Sequence, residues 1–146
     1  MQIIKDKQIV ENTYRYLADD ESLSNGNITV SLARWLQEKA QLLSHNGQVG
    51  LRLTIEDDVT LIADDLNKIA LLELNFPAFT DGRLFSRAKL LRIRFGYQGE
   101  IRAVGNFMLD QVFYLSKIGV NAFHLNNEEQ LPVALATLDD FSISYQ

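Results

Sequence analysis

From Asn27 to Leu138 the chain alternates short apolar segments with amphipathic stretches, and this rhythm restricts the fold more than any other feature. Ile28–Val30 reads as a strand. Ser31 is a good N-cap for a helix with Leu32, Leu36, Ala40 and Leu43 along one stripe, ended by Gly47. Val49–Ile55 alternates like a strand, and Asp57 or Asp58 then caps a short helix carrying Val59, Ile62, Ala63 and Leu66. Ile69–Phe76 is a near-continuous apolar run, as a strand covered on both faces requires. Leu84–Phe95 reads as a helix closed by Gly96 in the C′ position. Strand Ile101–Val104, helix Phe107–Ile118 with Gly119 behind it, and strand Asn121–Leu125 continue the pattern. Asn127 with Gln130 approximates a capping box for a helix with Leu131, Ala134, Leu135 and Leu138 on one face, and Phe141–Tyr145 is a candidate last strand.

Repeated βα units predict the α/β class and a mainly parallel sheet with right-handed crossovers. Five such units are too few to close an eight-stranded barrel, which leaves a flavodoxin-like sandwich or an incomplete barrel. The pattern assigns residues 27–146 to one α/β domain. Residues 1–26 form a small N-terminal β appendage, with short strands at Gln2–Ile4, Gln8–Val10 and Thr13–Leu17 before the polar loop Asp19–Gly26.

Totals narrow the function classes. A length of 146 residues fits one domain, and the net charge of −5 disfavours nucleic-acid binding by the chain as a whole. There is no cysteine, which removes disulfides, thiol catalysis and thiolate-held clusters and fits a reducing cytoplasm. With only His45 and His124, the commonest zinc sets cannot be assembled without several carboxylates. His45 reads as a helix-end residue near Gly47, and His124 as a structural histidine in or beside a buried strand. No signal peptide and no apolar run of membrane-spanning length is expected.

Two helices carry more apolar surface than one core face needs. On Leu84–Phe95 the core stripe is Leu84, Ala88, Leu91 and Phe95, which sets Leu90 and Ile93 nearly opposite it. On Phe107–Ile118 the stripe is Met108, Val112 and Leu115, while Leu109 and Phe113 lie to one side and Phe107, Tyr114 and Ile118 to another. Either the N-terminal appendage covers them or a second subunit does. Leu90, Ile93, Leu109, Phe113 and Tyr114 are the candidate interface of a homo-oligomer, most simply a dimer.

In a parallel sheet the segments starting near residues 77, 105 and 126 emerge along one rim, where α/β proteins bind ligands. Asp81, Arg83, Ser86, Arg87, Asn106, Asp110 and Gln111 then gather at one crevice. Arg83, Arg87, Lys89, Arg92, Arg94 and Arg102, with Glu100 the one acid among them, form a basic run suited to a carboxylate, phosphate or sulfur oxyanion. Asp81 and Asp110 are the candidates for moving protons, although each also suits a helix start. No GxGxxG, GxxxxGK[ST] or GxSxG pattern occurs, so the sequence supports no particular cofactor. A flavodoxin-like sheet would leave flavin binding open.

Phe76–Arg83, Ser86, Ala88, Leu91-Arg92, Gly96-Tyr97, Gly99-Glu-Ile-Arg-Ala103, Gly105, Asp110-Gln111, Gly119 and Ala122-Phe123 resemble an uncharacterised bacterial family. Its genes commonly lie beside those for assimilatory sulfite reductase, and its members are often labelled oxidoreductases of sulfite reduction. Members usually carry an acid where Asn106 stands and often a base where Leu109 stands. The resemblance implies a place in sulfur assimilation, with sulfite reductase or a related protein as partner. The expectation is an accessory protein, non-catalytic, acting through an anion-binding or partner-docking face. The alternative is a small α/β enzyme or oxidoreductase acting on an anionic sulfur or nucleotide metabolite, with Arg83 and Arg102 holding the anion.

Overall fold

A computed structural model describes residues 1–77 and 83–144, with side chains described through Asp139. The chain opens with an antiparallel hairpin, β1 (Gln2–Lys5) and β2 (Gln8–Glu11), followed by the two-residue strand β3 (Arg15–Tyr16). Then come β4 (Ile28–Ser31), α1 (Leu32–Gln37), α2 (Lys39–Leu43), β5 (Val49–Leu53), a 3-10 helix (Val59–Lys68) and β6 (Leu71–Phe76). α3 (Arg83–Lys89) runs into a π-helical turn (Leu90–Arg94) and leads to β7 (Glu100–Gly105). α4 (Val112–Lys117), β8 (Ala122–Phe123) and α5 (Leu131–Ser144) complete the chain.

All eight strands join one sheet in the order β2-β1-β8-β7-β6-β5-β4-β3. From β3 to β8 each strand pairs in parallel with the next, so the order never reverses. A doubly wound sheet needs that reversal. The architecture is therefore a curled half-barrel, and the flavodoxin-like alternative does not describe it. Because every new strand adds on the same side, right-handed crossovers put the helices on one face. That face is apolar: Leu51, Leu53, Leu72, Leu74, Phe76, Ile101, Ala103 and Phe123 share one core with Leu84, Ala88, Leu91, Val112 and Leu115 from the helices.

Chain connectivity fixes the curl. β2 and β3 stand at opposite ends of the sheet, yet only Asn12, Thr13 and Tyr14 separate them. An extended link from Glu11 to Arg15 reaches at most about 14 Å, whereas the edges of a flat eight-stranded sheet lie about 34 Å apart. The sheet has to bend until its ends nearly meet, with the link crossing the opening. The N-terminal antiparallel strands thus attach as an extension of the same sheet, β1 pairing with β8.

Several local expectations are corrected. The first predicted helix breaks at Glu38 into α1 and α2, which resets the buried face: Trp35 and Leu42 go inside, while Leu36 and Leu43 are exposed. Trp35 donates Nε1–H to Asp65 on the 3-10 helix, a polar partner that a buried indole requires. Met108 precedes the helical turns and is exposed, so the stripe of α4 is Val112 and Leu115. The segment from Phe141 continues α5 to Ser144 as helix; it is not a strand. The cover of α4 comes from α5, which also reaches β1 and β2. Among the described residues no helix is long and apolar enough to cross a membrane.

Candidate functional site

The C-terminal ends of β6, β7 and β8 lie side by side, with Phe76 paired to Gly105 and Ala103 paired to Phe123. Asn106 N–H donates to the Phe76 carbonyl at 3.1 Å, and Asn126 Nδ2 donates to the Gly105 carbonyl at 3.1 Å, so the segments after β7 and β8 start from one rim. Gly105 makes the turn at φ 88°, a left-handed conformation open to glycine at little cost. Between these segments lies a cleft of about 550 Å³ lined by Asn106, Asp110, Asn126, Asn127 and Gln130 over a floor that includes Phe107, Leu109 and Leu125. Beneath it, edge-to-face and tilted contacts link the rings of Tyr114, Phe85, Phe76, Phe107 and Phe123 from surface to core.

The expected site residues divide. Asn106 and Asp110 share the cleft, both exposed. Gln111 instead closes a local cap, its Oε1 accepting from Met108 N–H at 3.0 Å. Arg83 and Ser86 stand exposed on α3, and Arg87 is half-buried there, with Nη1 shielded from solvent and, among the described residues, reached by no hydrogen bond. Asp58 has its carboxyl held below its usual range chiefly by the Thr60 hydroxyl and N–H, with Arg87 adding a smaller effect. Asp81 lies outside the described residues. Of the interface residues, Ile93 is 80% exposed and Tyr114 50%, whereas Leu90, Leu109 and Phe113 are half-buried.

Two arginines of the expected basic run are structural. Arg92 donates from Nε to the Gly119 carbonyl at 2.8 Å and from Nη1 to the carbonyls of Tyr97 and Gly99 at 2.8 and 2.7 Å. Arg102, expected to hold an anion, is 2% exposed in the middle of β7 and is engaged by groups of the chain itself. Its Nε and Nη2 donate to Glu100, and Nη1 donates to Asn12 Oδ1 at 2.9 Å.

Arg102 belongs to a row of charges across the concave face. Arg52, Glu73 and Arg102 stand in register on three adjacent strands. Arg52 Nε donates to Glu73 at 3.0 Å, Arg102 lies 3.7 Å from the other Glu73 oxygen, and Lys5 pairs with Glu100 at 3.3 Å. The N-terminal link lies over this row. Tyr14 stacks on Arg102 at 5.6 Å and Tyr16 on Arg52 at 4.1 Å, while the Tyr14 hydroxyl donates to Gln48. Burial pushes the Tyr14 phenol up from its ordinary value. His124, just past β8, is half-buried against Met1 Sδ, and burial pushes its pKa down. His45, as expected, sits at a helix end and contacts the Gly26 carbonyl at 2.7 Å.

Sequence reading missed Arg52, Glu73, Glu100, Tyr14 and Tyr16 as a group. The available signal was a lone charge inside each apolar strand, in Leu51-Arg52-Leu53, Leu72-Glu73-Leu74 and Ile101-Arg102-Ala103. No curated protein matches the chain. A family model described as a bacterial protein of unknown function, DUF934, matches residues 50–146, from β5 through α5 and so including Arg52, Glu73, Arg102 and the rim, and the chain belongs to that family.

Proposed function

We propose that the protein is a non-catalytic accessory of assimilatory sulfite and sulfate reduction that docks through the outer face of α3 and its π-helical turn. The likeness of residues 70–146 to proteins encoded beside sulfite reductase supports the pathway and sulfite reductase or a related protein as partner, and a chain without cysteine suits the cytoplasm as its place. The observation that carries the docking face is Ile93, 80% exposed between the structural Arg92 and the exposed Arg94. With Arg83 and Lys89 also exposed on α3, the surface combines an apolar anchor with a basic surround. Such a surface suits an acidic partner, the charges steering encounter and the isoleucine gaining from desolvation. Tyr114, on the neighbouring helix and in ring contact with Phe85 of α3, extends it as the surface for a homodimer.

The test is capture of sulfite reductase by the purified protein from cells growing on sulfate. Ile93→Asp combined with Arg94→Glu is expected to abolish capture without lowering Tm. Capture indifferent to both changes, or unaided turnover of a sulfur or nucleotide substrate, overturns the reading. The exposed Asp110 carboxylate in the rim cleft favours a second reading, a small enzyme acting on a bound metabolite. In that case Asp110→Asn should cut turnover by orders of magnitude while leaving ligand binding intact.

A further inference from the structure

Three cations share two carboxylates on the concave face. Glu73 serves both Arg52 and Arg102, and Glu100 serves both Arg102 and Lys5. The set therefore carries one surplus positive charge, partly withdrawn from water. Charges in such surroundings are held by pairing, and a surplus there favours an anion.

Arg52 is the member with capacity left. A guanidinium offers five N–H donors. One of them, on Nε, goes to Glu73, and among the described residues no hydrogen bond reaches Nη1 or Nη2. Arg52 is half-buried but these two nitrogens are not sealed, since the buried side-chain atoms without partners are Thr29 Oγ1 and Arg87 Nη1. The Tyr16 ring lies over the guanidinium, 4.1 Å from its carbon, and covers it on one side. Its end-on edge, the pair of terminal amino groups, is the geometry that grips two oxygens of one oxyanion. On the same face, one row nearer the C-terminal ends of the strands, come Asn75, paired in register with Val104, and then His124, both half-buried. In βα barrels that end of the sheet is where ligands sit.

We infer that Arg52 anchors an oxyanion site at the C-terminal half of the concave face, gripping one carboxylate or tetrahedral oxyanion through Nη1 and Nη2. Glu73 holds the guanidinium in line from Nε, and Tyr16 covers it. Asn75 and His124 stand in the next row as polar groups. The site is separate from the docking face of α3 and does not rest on it: failure of docking leaves it standing, and its own failure leaves docking untouched.

The test is titration of the ¹⁵N-labelled full chain with phosphate, sulfate or acetate at constant ionic strength, with chloride as the balance. The Arg52 Nε–H signal and the Tyr16 ring signals are followed. Saturable shifts that chloride does not reproduce are expected. Arg52→Lys should weaken binding about tenfold by losing the fork, and Arg52→Met should remove it. Arg94→Met, on the exposed outer surface, should leave it unchanged. Preference for the tetrahedral anions or for acetate would identify the class of ligand, and either supports the site. Absence of saturation, equal response to chloride, or undiminished binding by a folded Arg52→Met overturns it. The wild-type titration reads Arg52 directly, so the test survives a Met variant that does not fold.

Discussion

Glu73 is 2% exposed and lies between two guanidiniums, so its loss leaves Arg52 without a carboxylate and Arg102 with Glu100 alone on a water-poor face. Glu73→Gln is expected to destabilise the fold by about 3–5 kcal/mol in urea unfolding, the range for breaking a buried pair from one side. A joint replacement of Arg52, Glu73 and Arg102 by Met or Leu should be far milder, because no charge is then left without a partner. Each of the three was visible in the sequence as a lone charge within apolar neighbours. Their pairing was not, because it depends on the strand register and on which residues face the same side. His124 adds a pH dependence. Burial lowers its pKa below the ordinary 6.5; Arg102 and Arg52 act in the same direction, while Glu73 and Glu128 oppose them. The unfolded chain then takes up the proton more readily, and stability rises with pH from the depressed folded value up to about 6.5 before levelling. His124→Gln should flatten that interval in a series of urea midpoints; an unchanged slope would show that His124 does not set it.

At the scale of elements, the helices show where periodicity sufficed and where it failed. Leu84, Ala88 and Leu91 are buried as an uninterrupted stripe predicts. Leu36 and Leu43 are exposed because one predicted helix is two, and a break changes the angular position of everything beyond it. The basic run misled for a different reason: side chains of one sign can serve unrelated ends. Arg92 leaves the surface to bind the carbonyls of Tyr97, Gly99 and Gly119, joining α3 to the approaches of β7 and β8. Gly119 takes φ 111° against the Arg92 side chain, where any Cβ would press on it. Lysine cannot reach three carbonyls in one plane, so Arg92→Lys should cost about 2–3 kcal/mol through carbonyls left without donors. Arg94→Lys, two residues further on and exposed, should fall within about 0.5 kcal/mol of wild type. Thermal unfolding of the two variants side by side checks the contrast.

For the whole molecule, the decisive information is long-range. The βα rhythm was legible and carries the half-barrel, but strand order and curl were not, since neither leaves a local signature. The first residues read as peripheral because they are short, polar and interrupted by turns. In the structure they add β1 beside β8 and β3 beside β4, which are positions at opposite ends of the parallel run. Between them Asn12, Tyr14 and Tyr16, at alternate positions along an extended link, turn toward Arg102 and Arg52. Removing residues 1–16 would leave two sheet edges unpaired, uncover Arg102 and Glu73, and release the constraint that bends the sheet. A truncated chain beginning at Leu17 is therefore expected to lose cooperative thermal unfolding and to bind a hydrophobic dye. A peripheral appendage would come away with a loss of only a few degrees in Tm, so a sharp transition near the full-length value would show that the half-barrel holds its curl without the link.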